Sequence, residues 1–221
     1  MTINAIVHTI DSRHRLIQFQ SGPMQNLQYA LIDSEKKEMV AFDPAWSIAP
    51  ILDVAAEWGV SITQIWVTHG HYDHVNQLNN LVNALQKTPL ITLHATPLFV
   101  PESPNIRAVT EGTQIEFGTL KWQILHTPGH SPDSVCFYTP QHLICGDLLF
   151  VNACGRSDLP GSNPNEMKKS LERISQLPAD TIIYPGHDYG PTLTDTIQNQ
   201  LETNPHLAGA HYRTARIKST H

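Results

Sequence analysis

The sequence has few basic residues and does not cluster them. Its 221 residues contain 14 Lys and Arg against 20 Asp and Glu, which gives a formal net charge of −6. No run of five basic residues occurs. Nucleic acids and acidic membrane surfaces are bound mainly through such basic patches. We therefore expect neither nucleic acid nor membrane as a partner.

Long apolar runs are also missing. No stretch approaches the roughly 18 apolar residues that a membrane-spanning helix needs, and the start "MTINAIVHTIDSRH" lacks the charged beginning and apolar core of a signal peptide. We expect a cytoplasmic protein. With 40% hydrophobic residues, the chain can bury a full core, and we predict a single domain over residues 1–221.

Cysteine is scarce and shows no metal-binding spacing. Cys136, Cys145 and Cys154 form no CxxC pair, so neither a disulfide framework nor a thiolate zinc site is indicated. We expect reduced and partly buried thiols. Cys136 lies in the strand-like "SVCFY" and is predicted to be a small core residue. A nucleophilic Cys145 is disfavoured because the local sequence offers no paired base.

The chain alternates strand-like runs with helical patterns. The helices are predicted at 47–59 with Gly59 as its stop, at 75–85, at 163–177 with Asn163 as N-cap, and at 193–201. This order fits two β-sheets packed face to face with helices outside. The strand-like runs are "LIQFQ", "LQYALID", "EMVAFD", "ITQIWV", "LITLH", "LKWQILH", "SVCFYT", "HLICG" and "TIIYP".

The stretch "THGHYDH" at 68–74 follows one of these strands. Side chains two apart on an extended backbone point the same way, so His69 and His71 can converge on one point. Asp73 and His74 come next, at the start of the helical pattern. Two imidazoles that converge on one point, with two more potential ligands beside them, suggest a metal site.

Histidine and aspartate recur where three more predicted strands end. "TPGHS" contains His130, "GDLLF" contains Asp147 and "PGHDY" contains His187. Loop positions beside rigid strands are common places for functional residues. His126 belongs to no such motif, and we expect it to be an ordinary polar residue, although it lies close enough in the sequence to His130 to support that histidine.

The four motifs, in this order and spacing, resemble those of the metallo-β-lactamase superfamily over nearly the whole chain. The resemblance implies an α/β (α+β) fold, the αββα sandwich, in which two mixed β-sheets are flanked by helices and the metals lie in a cleft at one sheet edge. It implies three ligands for each of two metals and one ligand that bridges them. These are His69, His71 and His130 for the first metal, Asp73, His74 and His187 for the second, and Asp147 as the bridge.

Imidazoles and carboxylates without thiolate suit zinc, iron or manganese. We expect two divalent metal ions, with zinc first and iron or manganese as alternatives. Two such ions roughly 3.5–4 Å apart activate water and polarise a carbonyl group. Asp73 is also assigned a catalytic role, since its carboxylate can accept a hydrogen bond from the attacking water.

Within the superfamily, residues 146–189 are most similar to the glyoxalase II-like (hydroxyacylglutathione hydrolase-like) branch, which hydrolyses thioesters such as S-lactoylglutathione. Asp147 stands where classical β-lactamases of this fold commonly have cysteine, which argues against antibiotic hydrolysis. The chain also departs from glyoxalase II. A Lys-aromatic-Tyr run is replaced by Arg156, Ser157 and Asp158, and we expect no C-terminal helical glutathione-binding domain. We expect a dinuclear thioesterase for S-lactoylglutathione or a related small thioester.

Several alternatives stay open. Arg156 either binds a substrate carboxylate or pairs with Asp158. A persulfide dioxygenase, whose family carries a segment similar to "CGRSD", would use one iron held by His69, His130 and Asp147. A non-catalytic metal-binding protein is the third interpretation. The apolar stretch "PLFVPESPNI" forms either a wall of the cleft or a subunit contact, and the second would fit a homodimer.

Overall fold

The structure is a computed structural model that describes residues 5–207. The single domain predicted over residues 1–221 therefore includes two terminal stretches, 1–4 and 208–221, that lie outside the described residues.

The first sheet has seven strands in chain order. Its first four strands pair antiparallel, and each later pairing is parallel. The sheet is therefore mixed, as expected. The strands are β1 (Ala5–Thr9), β2 (His14–Ser21), β3 (Asn26–Asp33), β4 (Glu38–Phe42), β5 (Ser61–Trp66), β6 (Leu90–His94) and β7 (Ile106–Val109).

The second sheet has six strands and is also mixed. The strands Ile182–Pro185 and His142–Gly146 pair in parallel, and the other pairings are antiparallel. In spatial order these are β15 (Asp195–Thr196), β14 (Ile182–Pro185), β11 (His142–Gly146), β10 (Val135–Thr139), β9 (Leu120–His126) and β8 (Gln114–Phe117). A short hairpin is formed by β12 (Leu149–Phe150) and β13 (Ala153–Cys154).

Five helices cover the outer faces of the sheets in the described residues. Three apolar clusters show the layering: one between the two sheets, one between the first sheet and α1 and α3, and one between the second sheet and α4 and α5. This arrangement confirms the αββα sandwich. The helices are α1 (Ala49–Trp58), α2 (Tyr72–Val75), α3 (Leu78–Ala84), α4 (Pro164–Ile174) and α5 (Ile197–Thr203).

Two predicted helix boundaries are confirmed by their caps. Gly59 ends α1 in the left-handed conformation, with φ of 60°, which costs glycine little because it has no Cβ. The side chain of Asn163 accepts hydrogen bonds from the backbone N–H groups of Asn165 and Glu166 at the start of α4.

Two other helix predictions were wrong in extent. The helix predicted at 75–85 is interrupted, since the N–H of Gln77 donates to the carbonyl of Pro44 rather than to the preceding turn. The result is the separate helices α2 and α3. The last helix begins at Ile197 because the hydroxyl of Thr196 caps it, so Leu193 lies outside it.

The cysteines agree with the prediction of free, partly buried thiols. Burial raises the pKa of Cys136 to about 12. Burial also raises the pKa of Cys145, whose thiol hydrogen-bonds to the carbonyl of Leu149. Neither thiol is therefore prepared as a nucleophile. Between residues 5 and 207, the helices are all too short or too polar to cross a membrane.

Candidate metal centre

The seven predicted ligands lie at one edge of the sandwich, in the segments that follow four strands; Asp73 and His74 are in the short helix α2 and the others are in loops. His69, His71, Asp73 and His74 follow β5 of the first sheet. The remaining three follow strands of the second sheet: His130 follows β9, Asp147 follows β11 and His187 follows β14. The two sheets thus contribute to a single cluster.

The ligand atoms form three overlapping groups in which all atoms lie within 4.8 Å of one another. In the tightest contact, Nδ1 of His71 lies 2.8 Å from Nε2 of His130. At the other end of the cluster, Nε2 of His74 lies 3.3 Å from Nε2 of His187. The groups are His69, His71 and His130; His69, His74 and Asp147; and Asp73, His74 and His187.

Asp147 lies between the first and the third group. Its Oδ2 is 3.5 Å from Nε2 of His130 and 3.3 Å from Nε2 of His187. Its Oδ1 is 3.3 Å from Nε2 of His74. A carboxylate placed in this way has an oxygen within reach of both groups, which is the position that the sequence comparison assigned to a bridging ligand.

Hydrogen bonds fix which ring nitrogen each histidine offers. Nδ1 of His130 lies 2.8 Å from the carbonyl of Arg156, and Nδ1 of His187 lies 2.8 Å from the carbonyl of Met24. A carbonyl only accepts, so each Nδ1 carries the proton. In the singly protonated form of either ring, the lone pair of Nε2 faces the cluster, as a metal ligand requires.

His74 is oriented in the same manner by a carboxylate. Its Nδ1 lies 3.0 Å from Oδ2 of Asp43. Asp43 in turn accepts hydrogen bonds from the backbone N–H of Thr68 at 2.7 Å and from its hydroxyl at 2.6 Å. The Thr68 hydroxyl, having donated to Asp43, can accept from Nδ1 of His69 at 3.1 Å. One aspartate thus orients two imidazoles.

Two buried polar atoms of the cluster have no hydrogen-bond partner among residues 5–207. They are Nε2 of His69 and Oδ1 of Asp147. Both residues are at least 92% buried, and an unsatisfied buried polar atom is costly. A divalent cation would satisfy both atoms at once. The donor set present therefore fits metal binding.

The electrostatics of the metal-free cluster point the same way. Burial, aided by neighbouring His74, lowers the pKa of His69 and keeps this imidazole neutral. Burial alone would raise the pKa of Asp73, but hydrogen bonding to His187 and the charge of His74 lower it below its usual range. At these two residues, the neutral imidazole and the ionised carboxylate are the forms that bind a metal. At His74, burial would lower the pKa, but the charges of Asp147 and Asp43 outweigh burial and raise it well above its usual range.

The opposite shift at His187 measures the negative charge of the cluster. Burial would lower the pKa of His187, but its contacts with Asp147 and Asp73 outweigh burial and raise it to about 9. Two carboxylates in one buried cluster thus attract a positive charge. In the absence of a metal, a proton on His187 supplies part of that charge.

Sequence reasoning missed three residues that hold the ligands. Asp43 is described above. Asn26 donates from Nδ2 to Oδ2 of Asp73 at 3.1 Å. Asp133 accepts from the N–H of Gly70 at 3.0 Å and so fixes the turn between His69 and His71. The one available signal was that Asp43 is the last residue of the predicted strand "EMVAFD", so that, like the ligands, it lies at a strand end.

The structure pairs Arg156 with Asp158, at 2.9 Å between Nε and Oδ1, and both side chains are about 70% exposed. This contact agrees with the second of the two interpretations of Arg156, the ion pair with Asp158. Binding of a substrate carboxylate stays a prediction. His126 does not support His130 directly: its Nε2 bonds to the carbonyl of Pro132, in the loop that carries His130.

The sequence of residues 42–187 matches the model of the metallo-β-lactamase superfamily. The chain belongs to the metallo-β-lactamase superfamily. The match runs from the end of β4 to the last predicted ligand, so it includes the whole cluster. Members of this superfamily are mostly metal-dependent hydrolases.

Individual relatives differ in their named activities. The chain is 34% identical over 168 residues to a hydroxyacylglutathione hydrolase of Idiomarina loihiensis, covering 74% of this chain and 62% of the relative. It is 29% identical over 199 residues to a probable polyketide biosynthesis zinc-dependent hydrolase of Bacillus velezensis, covering 90% and 85%. The crystal structure of ETHE1 from Myxococcus xanthus superposes with a TM-score of 0.78 at 27% identity, covering 92% and 85%.

The chain thus spans about three-fifths of the length of the Idiomarina loihiensis relative. These relatives have names that refer to different proteins and activities, so the names do not agree on one reaction.

Proposed function

We propose that the protein is a dinuclear-metal hydrolase of the glyoxalase II-like type that cleaves small thioesters. The observation that carries this proposal is the position of the Asp147 carboxylate, within 3.5 Å of His74, His130 and His187. A ligand between two three-residue groups is what a pair of metal ions requires. We assign His69, His71 and His130 to one ion and Asp73, His74 and His187 to the other.

The reaction is the addition of water to a thioester carbonyl. The water oxygen bonds to the carbonyl carbon, the carbon–sulfur bond breaks, and the sulfur leaves as a thiolate that takes up a proton. Two bound divalent ions supply activation of the water and stabilisation of the oxyanion. We propose that Asp73 accepts a hydrogen bond from the water, and that Asn26 holds the carboxylate for this role.

The name of the Idiomarina loihiensis relative supports a thioester substrate, and S-lactoylglutathione is the first substrate to assay. Zinc is the first metal to consider, because the ligands are imidazole and carboxylate and because the Bacillus velezensis relative is named as zinc-dependent. Iron and manganese have the same ligand preferences in such a site.

Metal content and turnover of one sample test the proposal. The protein is purified without added metal, its metals are counted by elemental analysis, and S-lactoylglutathione hydrolysis is assayed on the same preparation. We expect about two ions per chain, with turnover. Asp147→Asn should lower both, whereas Asp180→Asn, an exposed aspartate on another face, should lower neither. Two ions without hydrolysis of any thioester would reject the thioesterase.

The same sample addresses the two alternatives. A persulfide dioxygenase predicts one iron per chain, held by His69, His130 and Asp147, with oxygen uptake on glutathione persulfide. A non-catalytic metal-binding protein predicts bound metal without turnover of thioesters, phosphodiesters, lactones or persulfides.

A further inference from the structure

The loops around the metal centre present apolar side chains to solvent. Eight large apolar side chains are exposed among residues 5–207, and four of them border the centre. Their exposed fractions range from 44% to 74%. Exposed apolar residues that are scattered singly need no explanation, but a group around a cleft indicates a binding surface. The four are Met24, Tyr72, Leu98 and Tyr189.

Leu98 is held against the ligand turn by a buried carboxylate. Oδ2 of Asp133 accepts from the N–H of Leu98 at 2.8 Å and from the N–H of Gly70 at 3.0 Å. The two backbones are so close that a Cβ at Gly70 would lie 2.8 Å from the Cβ of Leu98. The backbone of Leu98 is therefore fixed against Gly70, the residue between His69 and His71, and the Leu98 side chain is half exposed there.

Tyr189 and Met24 form the opposite wall. The ring of Tyr189 stacks on the ring of His187, with centroids 4.7 Å apart and planes at 12°. Its hydroxyl donates to the carbonyl of Met24 at 3.1 Å, and the same carbonyl orients His187. The polar end of the tyrosine is thus already bonded, which leaves its ring face and the Met24 side chain to meet a ligand.

Tyr72 extends the apolar rim between these walls. It lies between His71 and Asp73 and is 74% exposed. Its ring packs edge-on against Trp46, whose indole N–H donates to Asn26. Tyr72 therefore packs against Trp46, which is hydrogen-bonded to Asn26, the residue that holds Asp73.

Among the described residues, no Lys or Arg side chain hydrogen-bonds to a predicted metal ligand. In the described part of the chain, Arg156 is the basic residue that hydrogen-bonds to a predicted ligand, and it does so through its carbonyl. Its guanidinium is paired with Asp158. A doubly carboxylated thiol such as glutathione would therefore find apolar surface and an already paired cation where it needs free positive charge.

From this arrangement we infer that the substrate is a thioester whose group beside the metal centre is apolar and uncharged, bound by Leu98, Tyr72, Met24 and the ring of Tyr189. This inference rests on the proposed thioesterase. The expected substrates are thioesters with acyl groups of several carbons on an uncharged thiol carrier, or on a carrier whose charges lie far from the thioester. Glutathione conjugates are expected to be poorer substrates.

The test uses metal-loaded protein and two series of compounds. The first is acyl thioesters of N-acetylcysteamine, from acetyl to octanoyl, with the matched acyl-glutathiones beside them. We expect kcat/KM to rise up to about fourfold per added methylene over the first few carbons, as burial of apolar surface predicts, and to favour the neutral carrier at equal acyl length. A flat dependence on length, or preference for glutathione, would overturn the inference and leave the thioesterase standing.

The second series separates binding from turnover. S-alkyl thioethers of N-acetylcysteamine, methyl to octyl, cannot be hydrolysed, and their binding is measured by calorimetry. We expect affinity to rise with alkyl length whether or not any thioester is cleaved. If no thioester is cleaved, the thioesterase fails, and the thioether series still decides the inference: rising affinity supports the apolar rim, and equal affinities reject it.

Variants assign the effect to the rim. Leu98→Ala and Met24→Ala should raise KM for the octanoyl ester several-fold more than for the acetyl ester, with unchanged metal content. Val7→Ala is the matched control, since Val7 is equally exposed at 50% but lies on the edge strand β1. Equal effects on both esters, or the same effect from Val7→Ala, would contradict the assignment.

Discussion

Oδ2 of Asp43 receives two hydrogen bonds at once, from Nδ1 of His74 at 3.0 Å and from the hydroxyl of Thr68 at 2.6 Å. Asp43 is 6% exposed and has a φ of 44°, a conformation that aspartate and asparagine tolerate better than most residues. Because the carboxylate of Asp43 accepts a hydrogen bond from Nδ1 of His74, it keeps a proton on that nitrogen and favours Nε2 as the atom that binds a metal.

The first prediction concerns Asp43→Asn. An amide NH₂ turned toward His74 would favour the tautomer with the proton on Nε2, which removes the lone pair that faces the cluster. We expect metal affinity to fall by about 10- to 100-fold, measured by competition with a chromophoric chelator. Asp53→Asn on the exposed face of α1 is the control. Unchanged affinity in Asp43→Asn would mean that the tautomer is set elsewhere.

The second prediction concerns Gly186→Ala. A Cβ at this position would lie 2.3 Å from Oδ1 of Asp147 and 3.0 Å from Cε1 of His74, so the carboxylate must move. We expect loss of bound metal, by elemental analysis, with a fold retained by circular dichroism. Gly112→Ala is the comparison, because its Cβ would meet no atom within 4 Å and only its φ of 74° is strained. Full metal content in Gly186→Ala would show that Asp147 tolerates displacement.

The third prediction separates the two interpretations of Arg156. If its guanidinium reaches a substrate carboxylate, Arg156→Ala should raise KM for an acyl-glutathione far more than it lowers kcat, and should leave KM for the neutral N-acetylcysteamine ester unchanged. Asp158→Ala should then lower KM for the acyl-glutathione, because it frees the cation. No change of KM in either variant would leave the ion pair as the whole role of Arg156.

The fourth prediction concerns stability in acid, far from the metal centre. Hydrogen bonds from Arg13 lower the pKa of Asp33 to about 2, against an ordinary value of about 3.9. A carboxylate with a lowered pKa stabilises the fold above the unfolded-state value, and this contribution is lost as pH falls from about 4 toward 2. Arg13→Met should therefore lower stability at pH 6 and flatten its dependence between pH 4 and 2.

Urea unfolding of both proteins at several pH values measures this slope, and the difference between them removes the effect of other carboxylates. Arg107→Met is the control, since Arg107 forms no ion pair in the described residues. A difference between Arg13→Met and the parent protein that is constant over pH would locate the effect in packing rather than in Asp33.

Much of the fold and of the predicted ligand set was accessible from sequence. Strands such as β3 and β11 are buried along their whole length and read as apolar runs. The predicted ligands follow β5, β9, β11 and β14, close to where such strand-like runs stop. The edge strand β1, by contrast, has a mostly exposed pattern and gives no clear alternation, so it was missed.

The supporting residues were hidden for a different reason. Asp133 acts on Gly70, 63 positions away, and Asn26 acts on Asp73, 47 positions away. Such contacts depend on how the two sheets pack, and nothing local distinguishes these residues from ordinary loop polar residues. The break between α2 and α3 has the same origin, because the partner of Gln77 is Pro44 in a different loop.

The division of the ligands between the two sheets has a consequence for the whole molecule. Four of them follow a strand of the first sheet, and three follow strands of the second. Ions bound there would add a cross-link between two layers that meet through apolar contacts and through hydrogen bonds such as the one from the Tyr29 hydroxyl to the carbonyl of Pro185. Removal of the ions by a chelator should then lower the free energy of unfolding of the whole domain. When metal is scarce, a larger fraction of the protein would be unfolded and open to proteolysis.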